Sequence, residues 1–182
     1  MNPLKIVVSG PVGAGKTTYI KCLSDSPVVS TEEKASEEIG KELTTVAMDY
    51  GSLSLEGQEI HLFGTPGQER FDFMWEVLCE GAVGMLLLIA GHQPQSFRKA
   101  RHILDYITSQ VPIPCVIGVT RQDLEKVWSP KEIANFLSVP REHVIGLDAR
   151  DRGACLEALY EVFARIDAAN GGESKAVPQH EA

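Results

Sequence analysis

A glycine-rich loop near the start of the chain combines residue types that are suited to holding a polyphosphate. Gly10 is followed by four residues and then by Gly15, Lys16 and Thr17, and the segment comes directly after the apolar residues 6–8. Glycines allow tight turns whose backbone N–H groups point inward, toward an anion. At this spacing a lysine ammonium reaches the β- and γ-phosphates of a nucleotide, and a threonine hydroxyl takes one Mg²⁺ position. The pattern therefore predicts a nucleotide site in residues 10–17, called the glycine-rich loop below, rather than an ordinary turn with an incidental lysine.

A helix is predicted to begin at about residue 15, directly behind this loop. The N-terminus of a helix carries partial positive charge and therefore adds to the attraction for phosphate. The nucleotide contacts predicted from the loop and from this helix start are Gly10, Val12, Gly13, Ala14, Gly15, Lys16, Thr17 and Thr18.

Composition and charge limit the classes of partner. The chain has 182 residues, with 17 lysines and arginines, 25 aspartates and glutamates, and a net charge of −8. It has no lysine- or arginine-rich run, so we expect no nucleic-acid partner and no stable membrane anchor. The four cysteines lie far apart in the sequence, which favours reduced, buried side chains over a metal site or a disulfide framework. The N-terminal residues are too few and too polar for a signal peptide, so a cytoplasmic protein is expected.

Apolar patterns predict strands that alternate with helices along most of the chain. The predicted strands cover residues 4–9, 45–53, 58–63, 84–90, 115–120 and 143–147, and the predicted helices cover about 15–23, 69–80, 95–109, 130–137 and 151–168. The polar residues 24–44 are expected to form a loop with one short exposed helix. The alternation predicts an α/β fold with a mainly parallel six-stranded sheet, one antiparallel hairpin at 45–63 and helices on both faces. Residues 1–168 would form one domain, and residues 169–182 a disordered tail.

Motif segments fall at the predicted strand ends, where ligands bind in sheets of this kind. They are residues 45–50, in which Thr45 leads into the second strand, residues 65–71, residues 120–123 and residues 148–150. In this order, and together with the glycine-rich loop, they resemble the Ras-like small GTPases over about residues 4–168. Within that superfamily the chain is most similar to the bacterial and archaeal gliding-motility and conservon types, which also lack an aspartate ahead of the glycine in the second switch segment. The resemblance implies the G domain of a P-loop NTPase.

The resemblance also implies a molecular switch that binds GTP and GDP and hydrolyses GTP in intracellular signalling. Lys16, Thr45 and Gln68 would be its catalytic residues, with Gln68 orienting the attacking water. Thr17 and Thr45 would bind Mg²⁺, and the N–H of Gly67 would meet the γ-phosphate. The implied switch is a monomer that acts with a regulatory protein, of the roadblock type or of the GTPase-activating type.

The residues around the base follow from the same resemblance. Asp123 would accept two N–H bonds from guanine, and adenine offers no such pair of donors. The N–H of Ala149 would bond to the guanine O6, and the stem of Arg121 would lie over the base. The full set of residues implied around the base is Thr120, Arg121, Asp123, Asp148, Ala149 and Arg150.

Two positions depart from the pattern of the Ras-like proteins. Gly64 stands where most of them have the aspartate that holds a Mg²⁺ water, and Asp49 is the candidate acid to replace it. Val12 stands where Ras has glycine, and a stiff β-branched side chain there would crowd Gln68. Together these departures predict slow hydrolysis in the absence of a partner. Two alternatives stay open: a guanine-nucleotide scaffold that does not hydrolyse, and a kinase for a small metabolite, against which the dispersed arginines argue.

Overall fold

The structure, a computed structural model, describes residues 1–36, 43–66 and 72–171 of the chain. In these residues strands and helices alternate, as the apolar pattern predicts. The strands are β1 (Leu4–Ser9), β2 (Val29–Ser36), β3 (Leu43–Leu55), β4 (Gln58–Gly64), β5 (Gly84–Ala90), β6 (Cys115–Thr120) and β7 (Val144–Gly146). The helices are α1 (Lys16–Leu23), α2 (Asp72–Cys79), α3 (Phe97–Gln110), α4 (Pro130–Leu137) and α5 (Arg152–Ala169).

The strands form one sheet in the order β2-β3-β4-β1-β5-β6-β7. The pairs β1–β4, β1–β5, β5–β6 and β6–β7 are parallel, whereas β2–β3 and β3–β4 are antiparallel. The predicted α/β class with a mostly parallel sheet is therefore confirmed. The predicted hairpin is confirmed as well, because β3 and β4 join through Glu56 and Gly57. Their φ angles of 50° and 81° suit a tight two-residue turn between antiparallel strands.

The described part of the sheet contains the predicted strands and one further edge strand, β2. This strand lies within residues 24–44, so the expectation of a loop with a short helix is wrong for residues 29–36. Its sequence VSTEEKAS is mostly polar and lacks the apolar alternation of a half-buried strand. Pairing with β3 along its whole length defines it instead, and such pairing depends on tertiary context.

Apolar side chains pack on both faces of the sheet, which explains the uninterrupted apolar run of β5. Every residue of β5 is buried. Side chains alternate along β1, so Ile6 and Val8 pack with α1 and α5 on one face. Val7 packs with α2, α3 and α4 on the other face. The prediction of helices on both faces is confirmed.

The carboxyl ends of the parallel strands meet at one edge of the sheet, and the loops of the candidate site begin there. The glycine-rich loop follows β1, residues 91–93 follow β5, residues 121–123 follow β6 and residues 148–150 come shortly after β7. Asp49 joins them from the antiparallel strand β3, where it pairs with Gly64 at the end of β4.

Helix α5 continues to Ala169, one residue beyond the predicted end of the domain. Residues 172–182 of the predicted tail lie outside the described residues. Among the helices that the structure describes, none combines the length and the apolar character needed to cross a membrane.

Candidate nucleotide-binding site

Glycine is required at two positions of the glycine-rich loop. Gly10 has a φ angle of 148°, and a Cβ atom there would lie 2.2 Å from the carbonyl oxygen of Leu88 in β5. Gly15 has a φ angle of 102° and directly precedes Lys16, the first residue of α1. L side chains rarely adopt these φ angles. The loop therefore turns tightly against the end of β5, exposes Val12 at its tip, and faces the positive end of the α1 dipole.

Lys16 is held inside this loop by main-chain oxygens. Its Nζ donates hydrogen bonds to the carbonyl oxygens of Gly10 and, at 3.2 Å, of Pro11. The pKa of Lys16 is lowered from 10.5 to about 8, first by burial and then by repulsion from Lys99, while the carboxylate of Asp49 opposes the shift. A bound phosphate would supply negative charge close to this partly desolvated ammonium. Lys16 is therefore placed to bind phosphate.

Thr17 and Asp49 bring two oxygen ligands together beside Lys16. The hydroxyl of Thr17 donates a hydrogen bond to Oδ2 of Asp49. Asp49 lies directly across the β3–β4 pair from Gly64, and a Cβ atom at Gly64 would lie 3.4 Å from the Cβ of Asp49. The side chain of Asp49 therefore lies close to the place where the side chain of an aspartate at position 64 would begin. A hydroxyl and a carboxylate are oxygen ligands of the kind that Mg²⁺ prefers.

Three residues predicted to act on the γ-phosphate are only partly described or not described. Gly67 and Gln68 lie outside the described residues. The backbone of Thr45 lies within β3, opposite Lys34 of β2. Because a strand rises by about 3.4 Å per residue, Thr45 lies about 14 Å along β3 from Asp49. The roles of Gly67, Gln68 and Thr45 stay predictions.

The residues predicted around the base come together with the start of α1 in one pocket. The pocket is lined by Gly15, Thr18, Thr120, Arg121, Asp123, Asp148, Ala149 and Arg150. Thr120 is buried, and its hydroxyl donates to the carbonyl oxygen of Ala14 at 2.9 Å. This hydrogen bond joins the end of β6 to the glycine-rich loop. Thr120 therefore fixes the pocket relative to the phosphate site rather than offering its hydroxyl to a base.

An arginine connects the two acidic residues of this pocket. Nε and Nη2 of Arg150 donate to Oδ1 and Oδ2 of Asp148, both at 2.9 Å, and Nη2 also lies 3.5 Å from Oδ2 of Asp123. Paired N–H···O bonds of this kind fix the orientation of a guanidinium. The hydrogen bonds from the side chain of Arg150 and then from its backbone N–H lower the pKa of Asp148 from 3.8 to about 2, against the effect of burial. The pocket therefore holds an oriented donor beside the acceptor Asp123.

Replacing Arg150 by alanine is expected to raise the pKa of Asp148 from about 2 toward its ordinary value of 3.8. The variant lacks the side-chain hydrogen bonds that are the main cause of the shift. Because the pKa of this carboxyl is depressed in the folded protein, its contribution to stability is present above about pH 4 and is lost as the pH falls through about 2. NMR titration of the carboxyl carbon measures the change. Arg152→Ala is the control, because Arg152 pairs with Asp25 instead, and an unchanged pKa in Arg150→Ala would contradict the assignment.

Two residues near the glycine-rich loop, Gln93 and Lys99, were not predicted from the sequence. The Oε1 of Gln93 lies 3.5 Å from the position that a Cβ of Gly13 would take. Lys99, in the first turn of α3, is close enough to lower the pKa of Lys16. Neither residue belongs to a motif. However, both follow the carboxyl end of β5, and the rule that ligands bind at such ends indicates this loop.

Comparison with known proteins identifies relatives of the chain. Residues 26–168 match a protein family described as conserved hypothetical ATP binding protein. An uncharacterized protein of Methanocaldococcus jannaschii is 33% identical over 135 residues, which cover 74% of this chain and 80% of that protein. The intraflagellar transport associated protein 2 of Caenorhabditis elegans is 21% identical over 168 residues, which cover 75% of this chain and 67% of that protein.

These relatives correct the family and the function that the motifs suggested. The assignment to the Ras-like small GTPases is wrong, and so are the GTP-hydrolysing signalling switch and the guanine-nucleotide scaffold that it implied, because the matching family is described by ATP binding. A glycine-rich phosphate loop is found in many nucleotide-binding proteins, and the short segments after it were too unspecific to decide between families. Nucleotide binding is the part of the expectation that the family supports. The chain belongs to the family described as conserved hypothetical ATP binding proteins.

Proposed function

We propose that this protein binds ATP as its Mg²⁺ complex at the glycine-rich loop and hydrolyses the terminal phosphate. One observation carries the proposal: the ammonium of Lys16 and the hydrogen-bonded pair of Thr17 and Asp49 converge at a loop that only glycine can build. The description of the family by ATP binding supports the choice of nucleotide.

The phosphates would lie against the glycine-rich loop. Inward N–H groups of the loop and the N-terminus of α1 attract anions without any charged side chain. Lys16 adds a full positive charge whose position is fixed by the carbonyl oxygens of Gly10 and Pro11. Lys99 adds a second cation close by. This set of donors and charges suits a polyphosphate better than a single carboxylate or phosphate group.

Thr17 and Asp49 fit a Mg²⁺ ion that arrives with the nucleotide. Within the described residues, no group of three or more histidine, cysteine, aspartate or glutamate side chains could hold a metal by itself. Mg²⁺ is usually bound by one or two protein ligands together with phosphate oxygens and water. A hydroxyl and a carboxylate already in contact meet that need. When bound, the ion would neutralise negative charge on the β- and γ-phosphates.

The base pocket holds an acceptor and a donor that an adenine edge can meet. Asp123 is an acceptor, and Nη2 of Arg150 is a donor 3.5 Å away from it. The edge of adenine that carries its amino group presents a donor beside the acceptor N1, so each group would meet its complement. Guanine can meet the same two groups through its N1–H and O6, so the choice of adenine rests on the description of the family by ATP binding.

Hydrolysis would depend on positioning and on charge, which dominate phosphoryl transfer. Lys16 is placed to neutralise charge on the transferred phosphoryl group. Gln68 is proposed to orient the attacking water, and a regulatory protein that completes the site stays a prediction, as does the monomeric state.

Calorimetry of the full chain with ATP and GTP, each with Mg²⁺, tests the proposal. We expect ATP to bind at least about tenfold more tightly than GTP, because the family is described by ATP binding. Phosphate release from ATP with Mg²⁺ and its loss with a chelator test hydrolysis. Tighter binding of GTP would overturn the assignment of the base, no phosphate release would overturn hydrolysis, and binding of neither nucleotide would overturn the proposal as a whole.

A further inference from the structure

Two buried hydroxyls meet at the entrance to the glycine-rich loop. Ser9 is the last residue of β1, and Thr65 directly follows β4, the strand that pairs with β1. Both side chains are buried, and Oγ1 of Thr65 donates a hydrogen bond to Oγ of Ser9 at 2.8 Å. The N–H of Thr65 donates to the carbonyl oxygen of Val8 at 2.9 Å. The ends of the two strands are therefore joined by a side-chain bond as well as by a backbone bond.

Stability alone does not require this hydroxyl pair. A hydroxyl that is buried without a partner destabilises the fold, whereas two apolar side chains of similar shape pack in the same place at little cost. Side chains alternate along β1, so Ser9 points to the same face as Val7, which belongs to an apolar core. A hydrogen bond adds direction to such packing, because it holds its donor and its acceptor at one distance and angle. The pair therefore fixes the position of one strand end relative to the other.

Each member of the pair is next to one half of the proposed phosphate and Mg²⁺ site. Ser9 directly precedes the glycine-rich loop, and the first carbonyl oxygen of that loop accepts a hydrogen bond from Nζ of Lys16. Thr65 directly follows Gly64, which lies opposite Asp49 in the β3–β4 pair. Ser9 is therefore on the side of the cation, and Thr65 is on the side of the carboxylate.

We propose that Ser9 and Thr65 are positioning residues that set the place of Lys16 relative to Asp49. The inference rests on the proposed function, in which the phosphates meet Lys16 and the Mg²⁺ ion meets Asp49. ATP with Mg²⁺ contacts both groups at once, so its affinity depends on how well they are held relative to each other. ATP without Mg²⁺ contacts only the side of the glycine-rich loop and Lys16. The hydroxyl pair therefore supports chiefly the gain in ATP affinity that Mg²⁺ provides.

Thermal unfolding of the full chain without nucleotide tests whether the two hydroxyls act as a pair. Ser9→Ala and Thr65→Val each leave one buried hydroxyl without its partner, so we expect each to lower the melting temperature. The double variant leaves neither hydroxyl unpaired, so its melting temperature should fall by less than the two single losses together. Losses that simply add in the double variant would overturn the pair.

Calorimetry with ATP tests the positioning role. With Mg²⁺ we expect Thr65→Val to bind ATP about threefold to tenfold more weakly, the effect of about one hydrogen bond. With a chelator its affinity for ATP should be almost unchanged. Thr65→Ser keeps a hydroxyl and should restore the affinity for MgATP. Thr108→Val is the matched control without effect, because the hydroxyl of Thr108 donates within its own helix, α3, to the carbonyl oxygen of Leu104.

The positioning role has clear contrary results. Equal losses of ATP affinity with and without Mg²⁺ would show that Thr65 only supports the fold. Equal affinities of Thr65→Ser and Thr65→Val for MgATP, or no loss in Thr65→Val, would show that the hydroxyl does not act on the site. If the unchanged protein binds no ATP, the proposed function fails, and the melting temperatures still decide whether the two hydroxyls join the strand ends.

Discussion

Replacing Lys16 by alanine is expected to lower the affinity for MgATP by about 100-fold or more. Lys16 is the cation that the carbonyl oxygens of Gly10 and Pro11 hold inside the glycine-rich loop. A hydrogen bond to a charged group contributes about 1.5–3 kcal/mol, and each 1.4 kcal/mol changes a binding constant by about tenfold. The loss of charged contacts to two phosphates therefore removes most of the binding. Calorimetry with MgATP measures the change.

The control for Lys16→Ala is Lys21→Ala, since Lys21 is exposed in the last turn of the same helix. Its removal changes the net charge by the same amount, and we expect almost no effect on affinity. Lys16→Ala also removes the hydrogen bonds to Gly10 and Pro11, so the melting temperatures of both variants are measured alongside. Equal affinities of the two variants for MgATP would show that Lys16 does not meet the phosphates.

Local patterns in the sequence were enough to predict the strands and helices that form the core. β5 is buried throughout, and its run of apolar residues identifies it directly. Helix α4 begins at Pro130 after the N-cap residue Ser129. The side chains of Ser129 and Glu132 each bond to the backbone N–H of the other residue, and the sequence shows this capping pair. β2 could not be predicted in this way. Its polar residues have no periodicity, and only its pairing with β3 makes it a strand.

In the candidate site, too, local features could be predicted from the sequence, and long-range contacts could not. Glycine spacing gave Gly10, Gly15 and Lys16, because the turn that a phosphate needs is a local property of the backbone. The orientation of Arg150 between Asp148 and Asp123 depends on the packing of two loops that follow different strands, so spacing cannot reveal it. The family could not be read correctly for a related reason: a phosphate loop and a few acidic residues after strands describe a kind of site, and many families share such a site.

Asp49 shows how a long-range contact can restore a group that the sequence lacks. The position that bears an aspartate in the Ras-like pattern is Gly64, and sequence order alone does not place the candidate Asp49 near it. The antiparallel pairing of β3 with β4 places Asp49 opposite Gly64, and its carboxylate accepts a hydrogen bond from the hydroxyl of Thr17. Asp49 was a candidate from the sequence, but the register of the hairpin is what places it beside Thr17.

Replacing Asp49 by asparagine is expected to remove most of the gain in ATP affinity that Mg²⁺ provides. The amide keeps the size of the side chain and an acceptor for Thr17, but it lacks the charge that favours a cation. With Mg²⁺ we expect the affinity for ATP to fall by about tenfold to 100-fold, the effect of losing one charged ligand. Without Mg²⁺ the variant should bind ATP as well as, or more tightly than, the unchanged protein, because a negative charge near the phosphates has been removed. Calorimetry with and without a chelator measures both affinities.

The loss of affinity with Mg²⁺ alone distinguishes a metal ligand from a residue that only supports the fold. A merely structural Asp49 would weaken the binding of ATP equally with and without Mg²⁺, and that result would contradict the assignment. Asp105→Asn is the matched control, since Asp105 is an exposed carboxylate on α3 and its loss changes the net charge equally.

The double variant Asp49→Asn, Gly64→Asp then moves the carboxylate across the strand pair. A Cβ atom at position 64 would lie 3.1 Å from Cδ1 of Ile20, the flexible end of a side chain that must shift slightly. Recovery of part of the Mg²⁺ dependence in this double variant is expected, because position 64 lies directly across the strand pair from Asp49.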